Sequence, residues 1–301
     1  MNIIETHQLT RRYGRTEAVH ELNLTVPTGS VFALLGPNGA GKTTTLKVLM
    51  NLLAPTAGSA RVLGVDSRRL GERERAQIGY VSENQEMPVW MTVRQLLDYC
   101  RPFYPTWDRA LEATLMKQFD LPEDRKLSHL SRGMLMKAAL LSSLAYRPKL
   151  LVLDEPFSGL DALVRDEFIK GVLEVSAQGE WTVVVSSHDI DEVDRLADRV
   201  AMLDAGRLRL HETTEALFGR FRRVEVTGAA AEVVAAPGWL ECERAGALTR
   251  FVETRYAGEP TERAWRERFG GATLTAQPMT LREIFMTQAR LSRAEAKEKS
   301  E

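Results

Sequence analysis

The sequence holds only two cysteines, Cys100 and Cys242, far apart and in neither a C-x-x-C pair nor metal-ligand spacing. That excludes a disulfide framework and gives no zinc site. No window approaches the roughly 18 uninterrupted apolar residues of a membrane span, and Met1 to Thr6 lacks a basic stretch leading into an apolar one. The chain is therefore expected to be cytosolic and not itself to cross a membrane. Excess charge of either sign is also missing: 40 Lys and Arg against 41 Asp and Glu give a formal net charge of -1. Neither a nucleic-acid footprint nor attraction to an anionic bilayer by bulk charge follows from that balance. What is present is ordinary globular composition, and 301 residues allow one large domain with a smaller appendage.

One stretch stands out. The apolar run Val31 to Leu35 leads directly into Gly36-Pro37-Asn38-Gly39-Ala40-Gly41-Lys42-Thr43-Thr44. This fits G-x-x-x-x-G-K-[ST], in which glycines let successive backbone N–H groups turn inward around phosphate oxygens. A side chain at Gly39 or Gly41 is expected to intrude on that wrap. Lys42 would reach the β/γ-phosphates, Thr43 would ligate Mg²⁺, and a helix over Thr43 to Leu53 would aim its positive N-terminus at the anion.

Around this loop the chain alternates short apolar runs with helical spacing. Ile3, Leu9, Val19, Leu22, Leu24 and Val26 are inward candidates of early strands. Tyr13 sits in a polar turn, where its ring would either stack on a base or pack locally. Ile78 to Val81, Lys149 to Leu153 and Trp181 to Val185 read as buried strands of a parallel sheet, with helices over Asp161 to Gln178 and Asp191 to Ala197. Residues 92–147 show helical spacing throughout and read as an inserted subdomain, whose last helix opens at Ser131, an N-cap by type. Asp204-Ala205-Gly206 is a hairpin turn, and Thr214 to Arg220 closes the domain as a short helix. Beyond it the text reads strand, helix (Ala229 to Ala235), two strands, helix and strand, a small α+β domain. Thr280 to Arg290 then places Leu281, Ile284, Phe285 and Met286 on one side of an amphipathic helix before a mixed-charge tail.

Taken in order, these pieces resemble the nucleotide-binding subunit of an ABC transporter over residues 1–220. Gly36 to Thr43 matches its Walker A loop, Leu130 to Met134 stands at its signature, and Leu150 to Glu155 matches Walker B. Ser158 to Asp161 matches the D-loop, and His188 stands at the switch histidine. The resemblance implies an α/β P-loop NTPase fold of ABC type with an inserted helical subdomain (residues 92–147), followed by a C-terminal α+β domain over 221–301. It implies ATP and Mg²⁺ as ligands, with Thr43 and Asp154 on the metal, Glu155 orienting and deprotonating the attacking water, and His188 contacting the γ-phosphate or that water. Tyr13 would stack on adenine, while Ser131 and Gly133 would bind phosphate from across a dimer.

Two departures accompany the match. The signature reads Leu-Ser-Arg-Gly-Met where the family text is Leu-Ser-Gly-Gly-Gln, and Glu83 stands where the family has glutamine, with Gln85 nearby but out of register. Arg132 is expected to help neutralise ATP across the dimer or to sit at its rim. Glu83 is expected to ligate Mg²⁺ or orient water.

The implied function is an ATP-hydrolysing subunit that dimerises head to tail around two ATP molecules, as a homodimer or with another such subunit. It would drive a separate membrane permease from the inner face of the cell membrane. The apolar loop Met87 to Met91, with Tyr104 and Trp107 nearby, is either the permease docking groove or local packing. The single ATPase unit, variant signature and C-terminal extension are most similar to bacterial exporter subunits, including those handling antibiotics or lipids. The alternative is a soluble ABC ATPase acting on ribosomes or DNA. Its ribosomal members usually carry two ATPase units and basic linkers, and this chain has one unit and near-neutral charge.

Overall fold

The computed structural model describes residues 1–177, 181–228 and 236–298. The chain divides into two compact units, Met1–His211 and Glu212–Glu301.

The first unit opens with β1 (Asn2–Tyr13), β2 (Thr16–Leu22) and β3 (Thr25–Pro27), then β4 (Val31–Leu35) and α1 (Lys42–Leu49). Next come β5 (Ala57–Val62), β6 (Val65–Asp66), the one-turn α2 (Glu72–Arg75) and β7 (Ile78–Ser82). Three longer helices follow, α3 (Val93–Cys100), α4 (Arg109–Gln118) and α5 (Arg132–Leu144). The unit returns to sheet with β8 (Leu150–Asp154), α6 (Ala162–Ala177), β9 (Thr182–Ser187), β10 (Arg199–Asp204) and β11 (Arg207–Thr213).

An antiparallel sheet is ordered β2-β1-β5-β6, with β3 also on β1. Its inward residues are those that alternation marks: Ile3, Leu9, Val19, Leu22, Leu24 and Val26 are all buried. The second sheet is ordered β11-β10-β4-β9-β8-β7, and β10, β4, β9, β8 and β7 run parallel. Its central strands are apolar on both faces, as a covered parallel sheet requires. Helix α1 touches β2, β5 and β8, and its Leu46, Val48 and Leu49 belong to the core shared by the two sheets.

Helix α1 ends earlier than the expected Leu53. Asn51 adopts a left-handed φ of 57° and the Leu52 N–H turns back to the Lys47 carbonyl at 2.8 Å, a stop that asparagine tolerates better than most residues. The helix expected over Asp191 to Ala197 is a run of turns. Local acceptors win there: Ser187 Oγ accepts from the Asp189 N–H (3.0 Å), and Asp189 Oδ1 accepts from the Asp191 N–H (3.1 Å). The hairpin between β10 and β11 turns at Ala205 and Gly206, with φ of 46° and 75°, the handedness that a tight antiparallel turn demands.

The parallel register sets the site. Leu35 pairs with Ser187, Ser186 with Asp154, and Asp154 with Ser82. Gly36, Glu83, Glu155 and His188 therefore leave the sheet from one edge, at the carboxyl ends of the strands.

The second unit holds α7 (Thr214–Arg220), β12 (Arg222–Thr227), β13 (Trp239–Ala245), β14 (Leu248–Glu253), α8 (Glu259–Arg268), β15 (Thr273–Pro278) and α9 (Leu281–Glu298). Its antiparallel sheet is ordered β13-β14-β12-β15 around Val224, Val226, Trp239, Phe251, Trp265 and Phe269. The helix expected over Ala229 to Ala235 lies outside the described residues. Helix α7, expected to close the first domain at residue 220, groups with the second unit, because Arg220 bonds both Glu212 (2.9 Å) and the Thr254 carbonyl (2.6 Å). On α9 the inward residues are Leu281, Ile284 and Thr287, while Met286 is 46% exposed. At about 100° per residue, Met286 stands about 200° from Ile284 and cannot share its face.

Candidate functional site

The loop after β4 is shaped by backbone that only glycine supplies. Gly41 has φ 102°, and a Cβ there would stand 2.3 Å from the Ala18 carbonyl oxygen. Gly39 differs from the expectation of crowding: a Cβ would meet nothing within 4 Å, and its φ of 81° is what calls for glycine. No side chain caps α1, so its first N–H groups face the loop, the arrangement that suits an anion. A cavity of about 320 Å³ lies against this loop, lined by Asn38 to Thr44 together with Ala18, Glu83 and Glu155.

Lys42 is only 5% exposed. Its ammonium donates to the Gly36 carbonyl (2.7 Å) and the Pro37 carbonyl (3.2 Å) and pairs with Glu155 Oε1 at 3.0 Å. The other oxygen of Glu155 lies 2.7 Å from His188 Nδ1. The carboxylate is thus gripped between a buried cation and an imidazole that is itself 42% exposed. Glu155 holds a left-handed φ of 52°, with its N–H bonded to Ser186 Oγ at 3.0 Å. A non-glycine residue in that region costs on the order of 1 kcal/mol, and here the turn aims the side chain back over the loop.

Asp154 is buried, and both of its close partners are hydroxyls: Thr43 Oγ1 donates to Oδ1 at 3.0 Å and Ser186 Oγ at 2.7 Å. Burial pushes its carboxyl above the ordinary range, against the lowering by Ser186 and Thr43. Thr43, Asp154 and Glu155 also line a second cavity of about 250 Å³, with Lys47, Tyr80, Glu83 and Gln85. Thr43 and Asp154 offer oxygen ligands, the chemistry Mg²⁺ prefers. Among the described residues no group of three or more His, Cys, Asp and Glu could hold a metal. Ser186 was not singled out by its sequence, although its place one residue past the Val183 to Val185 run is the available signal.

Glu83 accepts from Ser158 Oγ and from Arg132 Nη2 through the same oxygen, each at 2.7 Å. The Ser158 hydroxyl, and after it Arg132, hold this carboxyl below its ordinary range against the opposing effect of burial. Arg132, expected to help neutralise ATP across a dimer or to sit at its rim, is paired with Glu83 of its own chain. Ser131 caps α5, accepting from the Met134 N–H at 3.2 Å. Gly133 is close-packed: a Cβ would stand 2.6 Å from Val164 Cγ1. Tyr13 ends β1, 46% exposed, with the Arg11 guanidinium 4.7 Å from its ring centroid. The geometry thus brings together the loop, Lys42, Thr43, Glu83, Asp154, Glu155 and His188, while Tyr13, Ser131 and Gly133 line neither cavity.

Comparisons with known proteins agree with this geometry. A family model described as "ABC transporter" matches residues 19–158. The ABC transporter ATP-binding protein YtrB of Bacillus subtilis (strain 168) is 29% identical over 206 residues, covering 68% of this chain and 70% of that protein. The daunorubicin/doxorubicin resistance ATP-binding protein DrrA of Streptomyces peucetius is 37% identical over 216 residues, covering 70% of this chain and 65% of that one. For others of the curated relatives the match spans 58% of their length. A solved structure described as the ATP-binding subunit of an ABC transporter is 26% identical, with a TM-score of 0.65, and the match covers 71% of this chain and 91% of that one. The matched region carries the phosphate loop, the α5 turn and the Asp154-Glu155 pair, and over it the chain is similar to the ATP-binding subunits of ABC transporters.

Proposed function

We propose that this chain binds ATP with its triphosphate in the loop from Gly36 to Thr44 and hydrolyses it with Glu155 as the base, in service of a separate membrane permease. The observation that carries this reading is the grip on Glu155 by Lys42 and His188. Phosphate oxygens entering the loop compete for the Lys42 ammonium with better charge complementarity than one carboxylate offers. Glu155 is then released to accept a proton from water, while His188 stays within hydrogen-bond reach of it. Mg²⁺, held by Thr43 and Asp154, supplies charge neutralisation of the phosphates. The Tyr13 ring serves the adenine.

Ser131 and Gly133 complete the site from a second copy or a related subunit, since in their own chain they line neither cavity. The permease docks where β7, α3 and α5 frame a cavity of about 310 Å³ that includes Leu52, Gln85, Cys100 and Tyr146. Val89 and Trp90, 49% and 68% exposed in the loop after β7, offer it apolar contacts. The likeness to DrrA, named for daunorubicin/doxorubicin resistance, supports export of an antibiotic, lipid or other small molecule, with the chain peripheral on the cytoplasmic face.

ATP turnover by wild type against Glu155→Gln tests the reading. The amide keeps the side chain's shape and loses the base, so turnover is expected to fall about 100-fold or more while ATP binding persists. The bound, unhydrolysed nucleotide should also drive the variant into a dimer by light scattering. Equal turnover in the two proteins rejects Glu155 as the base.

A further inference from the structure

Two of the three positions at which the chain departs from the family text it resembles, Arg132 and Glu83, touch each other. Glu83 follows β7 and Arg132 opens α5, 49 positions apart, yet Arg132 Nη2 lies 2.7 Å from Glu83 Oε1. Ser158, in the turn after Glu155, donates to that same oxygen at 2.7 Å. Glu83 is anchored from behind by its own N–H, which donates to the Asp154 carbonyl at 2.9 Å. Arg132 in turn packs over Gly159, where an added Cβ would stand 2.7 Å from Nη1. One carboxylate oxygen thus joins three segments of the chain: the loop after β7, the start of α5 and the turn after Glu155.

Electrostatics gives each charge a reason to need the other. A cation in the first turn of a helix opposes the helix dipole, and Glu83 offsets Arg132 there. A carboxylate on a phosphate-binding cavity repels the ligand, and Glu83 lines both cavities; Arg132 neutralises it. Removing either partner leaves an uncompensated charge, whereas removing both leaves none.

We infer that Glu83 and Arg132 form one positioning pair, a bridge within the chain that holds the signature turn, the loop after β7 and Ser158 in register, so that ATP affinity depends on the pair rather than on either charge. This rests on the reading of the chain as an ATPase. It gives Arg132, expected to help neutralise ATP across the dimer or to sit at its rim, a partner within its own chain.

A double-mutant cycle of Arg132→Gly, Glu83→Gln and the two combined tests it, read as KM and kcat for ATP and as Tm of the chain without nucleotide. Arg132→Gly is expected to raise KM about fivefold in the wild-type background and less than about twofold in the Glu83→Gln background. The Tm losses should be non-additive in the same sense. Arg132→Lys, which keeps the charge and loses the planar fork, should fall between wild type and Arg132→Gly. Equal factors in both backgrounds for KM, with additive Tm losses, overturn the pair. If wild type hydrolyses no ATP, the ATPase reading fails instead, and the Tm cycle still decides the pair.

Discussion

Ser186 shows how much of this site is set by a side chain on the neighbouring strand. Its hydroxyl donates to Asp154 at 2.7 Å and accepts from the Glu155 N–H at 3.0 Å. One side chain on β9 therefore orients the two acids at the end of β8, next to it in the sheet. Ser186→Ala removes both bonds and leaves the buried Asp154 carboxylate with Thr43 as its remaining hydroxyl partner. A lost bond of this kind costs about 1–3 kcal/mol, so kcat is expected to fall about tenfold with a smaller change in KM. Steady-state kinetics checks the split: a KM effect as large as the kcat effect removes Ser186 from this role. The acids were legible because Asp154-Glu155-Pro156 follows an apolar run. The serine was not, because its importance lies across the sheet and no local pattern carries it. The same holds for Arg132 and Glu83, whose types each departed from the family text but whose meeting, 49 positions apart, no spacing rule conveys.

At the level of elements, the start of α5 at Ser131 was legible, because capping is a local affair. Asp108 accepts from the N–H groups of Ala110 and Leu111 at 2.8 and 3.0 Å and so begins α4. It also pairs with Arg147, at the far end of the helical region, at 2.7 Å. The Leu111 N–H, then Arg147, hold its carboxyl below the ordinary value of 3.8. Asp108→Ala is expected to cost about 1 kcal/mol, measured by denaturant unfolding. The sign of the pH dependence follows from the lowered folded value. The stabilisation is complete above the unfolded pKa and disappears as pH falls through the folded one. The difference between wild type and the variant should therefore stay level from neutral pH down to about pH 5 and shrink below 3.8. A difference that grows on acidification contradicts the assignment. Tyr146 anchors the region to the sheet: its hydroxyl donates to the Ile78 carbonyl at 2.8 Å, and its ring stacks on Tyr104 at 3.8 Å. Less legible was the stretch after His188, where helical spacing over Asp191 to Ala197 lost to backbone N–H bonds accepted by the Ser187 and Asp189 side chains. A segment that short cannot repay the cost of helix nucleation by itself.

On the scale of the whole chain, the sites of chemistry and of partner contact separate by burial. Lys42 and Asp154 are almost fully enclosed, whereas the exposed large apolar residues include Val89, Trp90, Tyr99 and Phe103 of the helical region. Tyr104 and Trp107 do not join that surface; they pack against Tyr146, with centroids 3.8 and 6.4 Å from it. The loop presenting Val89 and Trp90 is nonetheless fixed, since the Val89 carbonyl accepts from the Ser128 N–H at 3.0 Å and the Met91 carbonyl from the Leu127 N–H at 2.8 Å. A rigid backbone carrying an exposed tryptophan loses little conformational freedom on binding, the condition under which such a residue anchors an interface. Trp90→Glu puts a charge where an apolar partner helix would sit, and a well-buried aromatic anchor is worth about 2 kcal/mol or more. Co-purification with the proposed permease is therefore expected to drop at least about tenfold, while ATP turnover and nucleotide-driven dimerisation of the isolated chain stay at wild-type levels. Retained co-purification moves the docking surface away from this loop. A parallel loss of turnover assigns Trp90 to the fold of the helical region rather than to its partner.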